Sequence, residues 1–452
     1  MVVKQKKSWY EKDKAYVWHH MKPYQKDGHA MVVKEAQGAW ITDIEDNKYL
    51  DAMSGLWCVN AGYGRKELVE AASQQLAAMP FYPLTNSHTP AIELAEKLRE
   101  WLAGSYRIVY ANSGSEANET AFKIARQFHR QHGNPHKYKI ISRYRSYHGS
   151  TLATLAATGQ AQRKYLYEPL PEGFIHVRAP DSYRKPEGFD DKAWNLACAQ
   201  VMEDAILFER PETVAAVIME PIITGGGILI PHESYVKQVE KVCRKHDVLL
   251  IIDEVICGFG RTGKKFGFLH YGIKPDIVTM AKGITSGYLP LAATAVREEL
   301  YESFQQTGEN DHFRHVNTFG GNPAACKLAV RNLELMEQEN LCQRAEEKGA
   351  AIKKALMKLF DHPHVGDVRQ KGLLIGIELV KDKDTKEPVD DSYSTEVVQA
   401  CKKHGLIAGK NADTVSGYSN IINIAPPLSL TDDDAAFIST VMKNVFFTEK
   451  LG

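Results

Sequence analysis

Two residues of the chain have the types and the placement that carbonyl chemistry needs. Lys282 follows an apolar run in PDIVTMAKGITSG, and Asp253 ends another apolar run, VLLIID. A lysine held at the C-terminal end of a strand and partly desolvated can form a Schiff base with a carbonyl compound. An acid at the end of a neighbouring strand can hold a proton on a heteroaromatic nitrogen. Together they suit pyridoxal phosphate, although either residue alone is an ordinary strand-end side chain.

A phosphate site is predicted at the start of a helix. ANSGSEANETAFKIARQF follows a strand and opens a helix, so Ser113, Gly114 and Ser115 lie where backbone N–H groups and the helix dipole meet. Gly114 allows close approach of the backbone, and the two hydroxyls can add donors. A plain N-cap at Ser115 explains the same residues if the motif is taken alone.

Four further side chains close or follow apolar runs. Tyr147 in SYHGS can lie flat on a cofactor ring, or it can fill the core or an interface. Val255 points to the same face as Asp253 if the strand continues, although a buried valine needs no ligand. Glu220 closes VAAVIME and should find a hydrogen-bond partner or a cation. Thr318, in HVNTFGGNPAAC, can cap a helix or donate to a phosphate.

The elements that position these residues indicate an α/β fold. Apolar runs that do not alternate in polarity are typical of strands buried on both faces, and amphipathic helical patterns separate them. This alternation predicts a mostly parallel sheet with helices on both faces. Strands are predicted at 107–111, 138–142, 214–220, 248–253 and 276–281.

The chain is predicted to divide into a large domain at 60–330 and a smaller α+β domain. The smaller domain is formed by 331–452 together with the N-terminal segment 1–59. Within it, WITDIEDNKYLDAMSG predicts a hairpin, and LAVRNLELMEQENLCQRAEEKGAAIKKALMKLF predicts one long helix.

Composition narrows the class of partner. The 452 residues are 44% hydrophobic and 25% charged, with 56 basic and 56 acidic residues, so neither a nucleic acid nor a membrane surface is indicated. The seven cysteines form no C-x-x-C pair, which favours reduced thiols in the cytosol.

No signal peptide or membrane span is predicted. The two histidines of HFRH lack a clear third ligand, so no metal site is predicted.

Six segments together resemble a known family. SGSEANE, YHGST, EPIITGGG, IIDEVICGFGRTG, MAKGITSGYLPL and NTFGGNPAAC are similar, in order and spacing, to the class III aminotransferases of the fold-type-I pyridoxal-phosphate enzymes. The resemblance extends from about Trp18 to the last helix. It implies a large domain with a mostly parallel sheet of the seven-stranded type, and a homodimer, alone or paired into a tetramer, with each site at the subunit interface.

The resemblance also implies residue roles. Lys282 would form the internal aldimine and then act as general acid–base, and Asp253 would pair with the pyridine nitrogen. An amine donor and a keto-acid acceptor would react in turn, with ping-pong kinetics. The other cofactor contacts that it implies are Ser113, Gly114, Ser115, Tyr147, His148, Glu220 and Val255, with Thr318 supplied by the other subunit.

Departures from the family pattern indicate the branch. Relatives that use glutamate through a Glu–Arg switch carry an acid where this chain has Gly225, so pyruvate is the expected acceptor. Leu56 and Trp57 are similar to the pocket of the ω-amine:pyruvate and taurine:pyruvate group, and Tyr24 resembles an active-site tyrosine of the diaminopelargonate-forming relatives. Lys410 stands where ω-aminotransferases carry a mobile arginine for the substrate carboxylate.

Three alternatives stay open on the sequence. The first is an adenosylmethionine-8-amino-7-oxononanoate aminotransferase, and the second is an aminomutase or decarboxylase that uses the same cofactor. The third, from a different class, is a nucleotide-binding or scaffolding protein without catalysis, although no G-x-x-x-x-G-K-[ST] is present to support it.

Overall fold

The computed structural model describes residues 8–21, 28–306, 308–412 and 414–451. Its strands are β1 (Val33–Gln37), β2 (Trp40–Asp43), β3 (Lys48–Asp51), β4 (Tyr106–Ala111), β5 (Lys139–Arg143), β6 (Phe174–Val177), β7 (Val214–Met219), β8 (Leu249–Asp253), β9 (Ile277–Met280), β10 (Ala292–Arg297), β11 (Val365–Lys371), β12 (Leu374–Leu379), β13 (Leu406–Ile407), β14 (Gly409–Lys410) and β15 (Ile421–Ile424). Its α-helices are α1 (Trp9–Tyr16), α2 (Ser54–Trp57), α3 (Lys66–Ala78), α4 (Thr89–Leu102), α5 (Gly114–Gln131), α6 (Leu152–Ala157), α7 (Ala161–Lys164), α8 (Asp191–Phe208), α9 (Glu233–Lys245), α10 (Glu298–Glu302), α11 (Pro323–Gln338), α12 (Leu341–Leu356), α13 (Asp391–Lys403) and α14 (Asp432–Phe447). None of these helices has the length and apolar character needed to cross a membrane.

The largest sheet has seven strands in the order β4-β10-β9-β8-β7-β5-β6. The pairs from β9 through β6 are parallel, whereas β10 runs antiparallel to both of its neighbours. The prediction of a mostly parallel α/β sheet is therefore confirmed, and each of the five predicted strands is present. The alanine-rich run of β10 was not predicted as a strand, because alanine is depleted in strands.

The central strands are buried on both faces. Alternate residues enter two hydrophobic clusters: Leu250 packs in the cluster that holds the buried faces of α8 and α9, and Ile251 packs in the cluster that holds Phe122 of α5. This double coverage explains why the sequence shows continuous apolar runs rather than alternation. It also leaves the carboxyl ends of the strands as the place where polar side chains can gather.

The prediction of one long helix after residue 330 is wrong. Helix α11 ends at Gln338 and α12 begins at Leu341. Between them Asn340 adopts a left-handed backbone conformation with φ of 52°. A continuing right-handed helix cannot contain such a residue, and asparagine tolerates the conformation better than most. The apolar pattern runs on across this break, so periodicity alone does not reveal it.

Two four-stranded sheets flank the large one. One has the order β1-β2-β3-β13 and the other β11-β12-β15-β14. The predicted hairpin is confirmed as β2 and β3, which pair antiparallel. Because β13 pairs with β3, the C-terminal part of the chain shares a sheet with the N-terminal hairpin. The division into domains at residues 59 and 330 stays a prediction.

Arg261 joins three distant parts of the chain. Its side chain is fully buried, and its guanidinium donates to the carbonyl of Pro426 at 2.5 Å, to Oδ1 of Asn60 at 2.8 Å and to Oγ of Ser54 at 3.1 Å. It also donates to the carbonyl of Leu373 at 3.3 Å. These acceptors are neutral, so the guanidinium acts as a multiple hydrogen-bond donor that holds the N-terminal and C-terminal segments together.

Arg261→Met should therefore destabilise the fold. The methionine fills part of the volume but leaves several buried acceptors without a donor, which costs on the order of 2–4 kcal/mol. We expect the thermal unfolding midpoint to fall by several degrees. Arg210→Met is the matched control, because Arg210 is exposed and pairs with Glu212 at the surface. An unchanged midpoint for Arg261→Met would mean that other contacts join these segments.

Candidate active site

The predicted lysine and acid lie at the same edge of the sheet. Strands β8 and β9 are parallel neighbours, and Asp253 is the partner of Thr279 in their ladder. Lys282 follows β9 in a short 3-10 turn, Lys282–Ile284. Because carboxyl ends of parallel strands meet at one edge, the two side chains reach the same region.

Lys282 is held in an unusual backbone conformation. Its φ is 51°, in the left-handed region that few residues other than glycine adopt. The amide of Asn332 fixes the turn by donating to the carbonyls of Gly283 at 2.9 Å and Ile284 at 3.0 Å. Burial lowers the pKa of the Lys282 ammonium, so a larger fraction is neutral and nucleophilic at a given pH than for a surface lysine.

The Asp253 carboxylate is buried and receives three donors. The backbone N–H of Val255 donates to Oδ1 at 3.1 Å, and the amide of Asn118 donates to Oδ2 at 2.8 Å. Nδ1 of His148 lies 2.9 Å from the same Oδ2. Thr279 donates to Oδ1 of Asn118 at 2.7 Å, which orients the amide so that its NH₂ faces Asp253. These hydrogen bonds hold the Asp253 carboxylate in one orientation.

Glu220 positions the neighbouring aromatic residue. Its Oε1 accepts from the backbone N–H of Tyr147 at 3.1 Å, and its Oε2 accepts from the N–H and hydroxyl of Thr224 at 3.0 and 2.6 Å. Burial raises the pKa of Glu220. The expectation that this acid finds hydrogen-bond partners is confirmed. Since Tyr147 precedes His148, the two buried acids fix consecutive residues of one loop.

The residues predicted to hold a phosphate, Ser113, Gly114 and Ser115, lie at the start of α5. The N-cap is Ser113, not Ser115: the hydroxyl of Ser113 accepts from the N–H of Glu116 at 3.2 Å, and the Glu116 carboxylate accepts from the N–H of Ser113 at 3.2 Å. The Ser115 hydroxyl instead accepts from the N–H of Ser150 at 3.0 Å. The first turn of the helix retains N–H groups that have no carbonyl within the helix to bond.

Gly114 lies directly against Val255. A Cβ built on Gly114 would stand 2.9 Å from Cγ1 of Val255, closer than real atoms approach, so a larger residue would force the two apart. Val255 is half-buried. The predicted phosphate site and the valine that was predicted to cover a ring are therefore parts of one surface.

Trp57 and Leu56 border the lysine. Nζ of Lys282 lies 5.4 Å from the centroid of the Trp57 ring, and the buried Nε1 of Trp57 has no hydrogen-bond partner among the described residues. Leu56 is 64% exposed in the single chain. Trp57 thus lies next to Lys282, and the prediction that Leu56 and Trp57 line a pocket stays a prediction.

The loop that carries Gly225 is fixed by two arginines. Arg145 donates to the carbonyl of Gly226 at 2.8 Å, and Arg369 donates to the carbonyl of Gly227 at 2.6 Å. A Cβ on Gly225 would lie 3.7 Å from Nε2 of Gln160 and 3.9 Å from Cβ of Tyr147, which are ordinary contacts. The position therefore has room for a side chain beside Tyr147.

Lys410 and Thr318 make no described hydrogen bond to this group of residues. The Lys410 ammonium donates to Oδ1 of Asp391 at 2.5 Å and to the hydroxyl of Thr395 at 2.7 Å, on the side of α13. Thr318 is exposed and does not cap α11, whose N-cap is Asn322. Tyr24 lies outside the described residues.

These residues fit a flat heteroaromatic ring with an anionic tail. They provide a buried acid for a ring nitrogen, an amine for an aldehyde, and helix N–H groups for a phosphate. The buried Nε2 of His148, like Nε1 of Trp57, has no hydrogen-bond partner among the described residues. Pyridoxal phosphate has the matching functional groups.

Comparison of the chain with known proteins identifies its relatives. Residues 22–446 match the family described as aminotransferase class III. The chain is 60% identical over 439 residues to an uncharacterized aminotransferase, YhxA, of Bacillus subtilis (strain 168), with 97% of this chain and 96% of the relative covered. It is 41% identical over 440 residues to the taurine–pyruvate aminotransferase of Bilophila wadsworthia (strain 3_1_6), with 96% of each covered. The crystal structure of a Bacillus anthracis aminotransferase superposes with a TM-score of 0.94 at 56% identity, covering 96% of this chain and 97% of that one.

The chain belongs to the class III aminotransferases. Members of this family depend on pyridoxal phosphate and use amine and keto-acid substrates. The predicted family, fold class and enzyme class are confirmed.

Sequence reasoning missed several residues of the site. Asn118 lies inside α5, and Gln160 and Arg163 lie in or next to the short helix α7, so none of the three ends a predicted strand. The helical spacing of Asn118 from Gly114 places both on one face of α5, which is the signal that could have found it.

Asn118→Ala tests whether the amide orients Asp253. Loss of one hydrogen bond to a buried carboxylate costs about 1.5–3 kcal/mol, so we expect kcat for amino transfer to fall by roughly tenfold to a hundredfold. Asn134→Ala is the control, because Asn134 is exposed just beyond the other end of α5. A wild-type kcat for Asn118→Ala would show that His148 and Val255 suffice.

Proposed function

We propose that the chain transfers an amino group from a primary amine or ω-amino acid to a keto acid, most readily pyruvate, with pyridoxal phosphate as cofactor. The observation that carries this proposal is the pair formed by Lys282 and Asp253 at the carboxyl ends of adjacent parallel strands. Family membership supplies the reaction class.

The residues that would hold the cofactor surround this pair. Gly114 and Ser115, with Ser113 at the N-cap, would hold the phosphate at the start of α5, and Val255 and Tyr147 would contact the ring. When bound, pyridoxal phosphate supplies an aldehyde that condenses with amines and a ring that accepts electron density.

Proton handling falls to the protein. The desolvated amine of Lys282 would remove the proton from the substrate carbon and deliver it to the cofactor. Its lowered pKa favours the neutral amine, which can accept that proton. Asp253 would keep the ring nitrogen protonated, and its three donors keep the carboxylate aimed in one direction. His148 and Asn118 act through Asp253 and are positioning residues.

The acceptor preference rests on Gly225. An acid at this position could neutralise a cation of the pocket when an uncharged amine is bound, but glycine provides no such group. Pyruvate has no second carboxylate, so the site does not have to accommodate a charge at its far end. 2-Oxoglutarate carries a second carboxylate there. The Bilophila relative, which is named for taurine and pyruvate, supports the same choice.

A second copy of the chain would complete the site. Thr318 is exposed, and its neighbours Val316 and Phe319 are 75% and 61% exposed, as is Leu56 at 64%. Apolar side chains with this exposure are typical of a surface that another subunit covers. In the proposed homodimer, Thr318 reaches the partner's phosphate site. The seven cysteines are free thiols, which fits the proposed location in a reducing cytosol.

A donor and acceptor panel tests the proposal. Purified protein with pyridoxal phosphate is mixed with taurine, β-alanine, putrescine or 1-phenylethylamine, and alanine from pyruvate is compared with glutamate from 2-oxoglutarate. We expect alanine to form with the higher acceptor kcat/KM. The kcat of Lys282→Ala should fall by about 10²–10⁴-fold, because the variant lacks the amine that acts as general acid–base.

Lys274→Ala is the control for the lysine variant, since Lys274 is exposed beyond the opposite end of β9. Absence of amino transfer from every donor would contradict the proposed reaction. A higher kcat/KM for 2-oxoglutarate would overturn the acceptor preference alone.

A further inference from the structure

Arg163 is a cation beside the candidate active site that no described acid neutralises. It lies in α7, half-buried, with its Cζ 5.1 Å from the centroid of the Tyr147 ring. Its Nε donates to Oε1 of Gln160 at 2.6 Å, and its Nη1 lies 3.4 Å from the sulfur of Met21. Within the described ranges, Arg163 forms no ion pair with a carboxylate.

Three arginines that hold the Gly225 loop or share its buried acid are paired with carboxylates. Arg145 binds Asp181 at 2.6 Å, and Arg184 and Arg369 bind the buried carboxylate of Glu378, each at 2.7 Å. Partly desolvated charges are normally compensated in this way. Arg163 has no such acid beside Tyr147. The buried Arg143 and Arg261 also pair with no described carboxylate, but carbonyl groups of the chain accept their N–H groups.

Gln160 fixes the guanidinium rather than neutralising it. The glutamine side chain is fully buried, and its Nε2 donates to the carbonyl of Arg145 at 2.9 Å. This bond leaves Oε1 aimed at Arg163. The same Nε2 would lie 3.7 Å from a Cβ on Gly225. An acid at position 225 would therefore stand next to the Arg163–Gln160 pair, and glycine leaves the cation free for a ligand.

Building on the proposed function, we propose that Arg163 binds the carboxylate or sulfonate at the far end of the substrate. A planar guanidinium presents two parallel N–H donors, which match the two oxygens of either group. The site thus selects ω-amino acids and ω-aminosulfonates over uncharged amines by a charge-assisted contact.

Lys410 is the competing cation. Its ammonium is already bonded to Asp391 and Thr395, so a substrate anion would have to replace those partners. Arg163 needs no such exchange. The role predicted for Lys410 stays a prediction, and the experiment separates the two residues.

The test compares donor kcat/KM for four amines in wild type, Arg163→Met, Arg163→Lys and Lys410→Met. Taurine and β-alanine carry an anion, whereas putrescine and 1-phenylethylamine do not. We expect Arg163→Met to lower kcat/KM for the two anionic donors by about tenfold to a hundredfold and for 1-phenylethylamine by less than about threefold. Arg163→Lys should recover part of the loss, because lysine restores the positive charge but not the two parallel N–H donors of the guanidinium.

Two further measurements sharpen the test. Calorimetric binding of propionate, which has no amine to react, should weaken in Arg163→Met. Gly225→Glu should reduce kcat/KM for anionic donors in wild type but add little to Arg163→Met, because both changes remove the same free charge. Arg178→Met is the matched control: Arg178 is exposed and lies 5.4 Å from the Trp194 ring centroid.

The outcomes are distinct. Equal losses for all four donors would show that Arg163 acts only by supporting Tyr147, and a loss confined to Lys410→Met would assign the anion site to that lysine. Either result overturns the proposal. A wild-type protein that transfers no amino group from any donor would contradict the proposed function instead.

Discussion

The structure depends on a buried carboxylate at the end of a central strand. Asp253 is removed from solvent, and three donors from three different segments compensate its charge. A buried charge without such partners would be costly, so the positions of α5, the loop after β5 and the turn after β8 are coupled through this one group. The same three segments provide the predicted phosphate site, the aromatic residue and the valine of the candidate active site.

A second set of buried charges holds the loop that contains Gly225. Glu378 in β12 pairs with Arg184 and Arg369. Burial alone would raise the pKa of Glu378, but the nearby arginines outweigh it and lower the pKa to about 2. Arg369 then holds the carbonyl of Gly227, and with it the loop that contains Gly225. In the proposed site, the glycine of this fixed loop supplies no acid to the Gln160–Arg163 pair beside it.

The sequence predicted the parts of the site that end apolar runs. Lys282, Asp253 and Glu220 each follow a strand that is buried on both faces, so their position and their need for partners can be inferred without coordinates. Asn118, Gln160 and Arg163 could not be found in the same way. Their roles come from packing between segments far apart in the chain, as when Asn118 meets Asp253. The break at Asn340 and the pairing of Lys410 with Asp391 likewise depend on tertiary contacts that periodicity does not encode.

Chemical trapping of the cofactor on one lysine tests whether Lys282 is the residue that binds pyridoxal phosphate. Protein incubated with pyridoxal phosphate is reduced with borohydride, digested and analysed by peptide mass spectrometry, with Asp253→Asn treated in parallel. We expect a pyridoxyl phosphate mass on Lys282 in the segment PDIVTMAKGITSG, with lower occupancy in the Asp253 variant. Labelling of another lysine, or equal labelling scattered over surface lysines, would contradict this assignment.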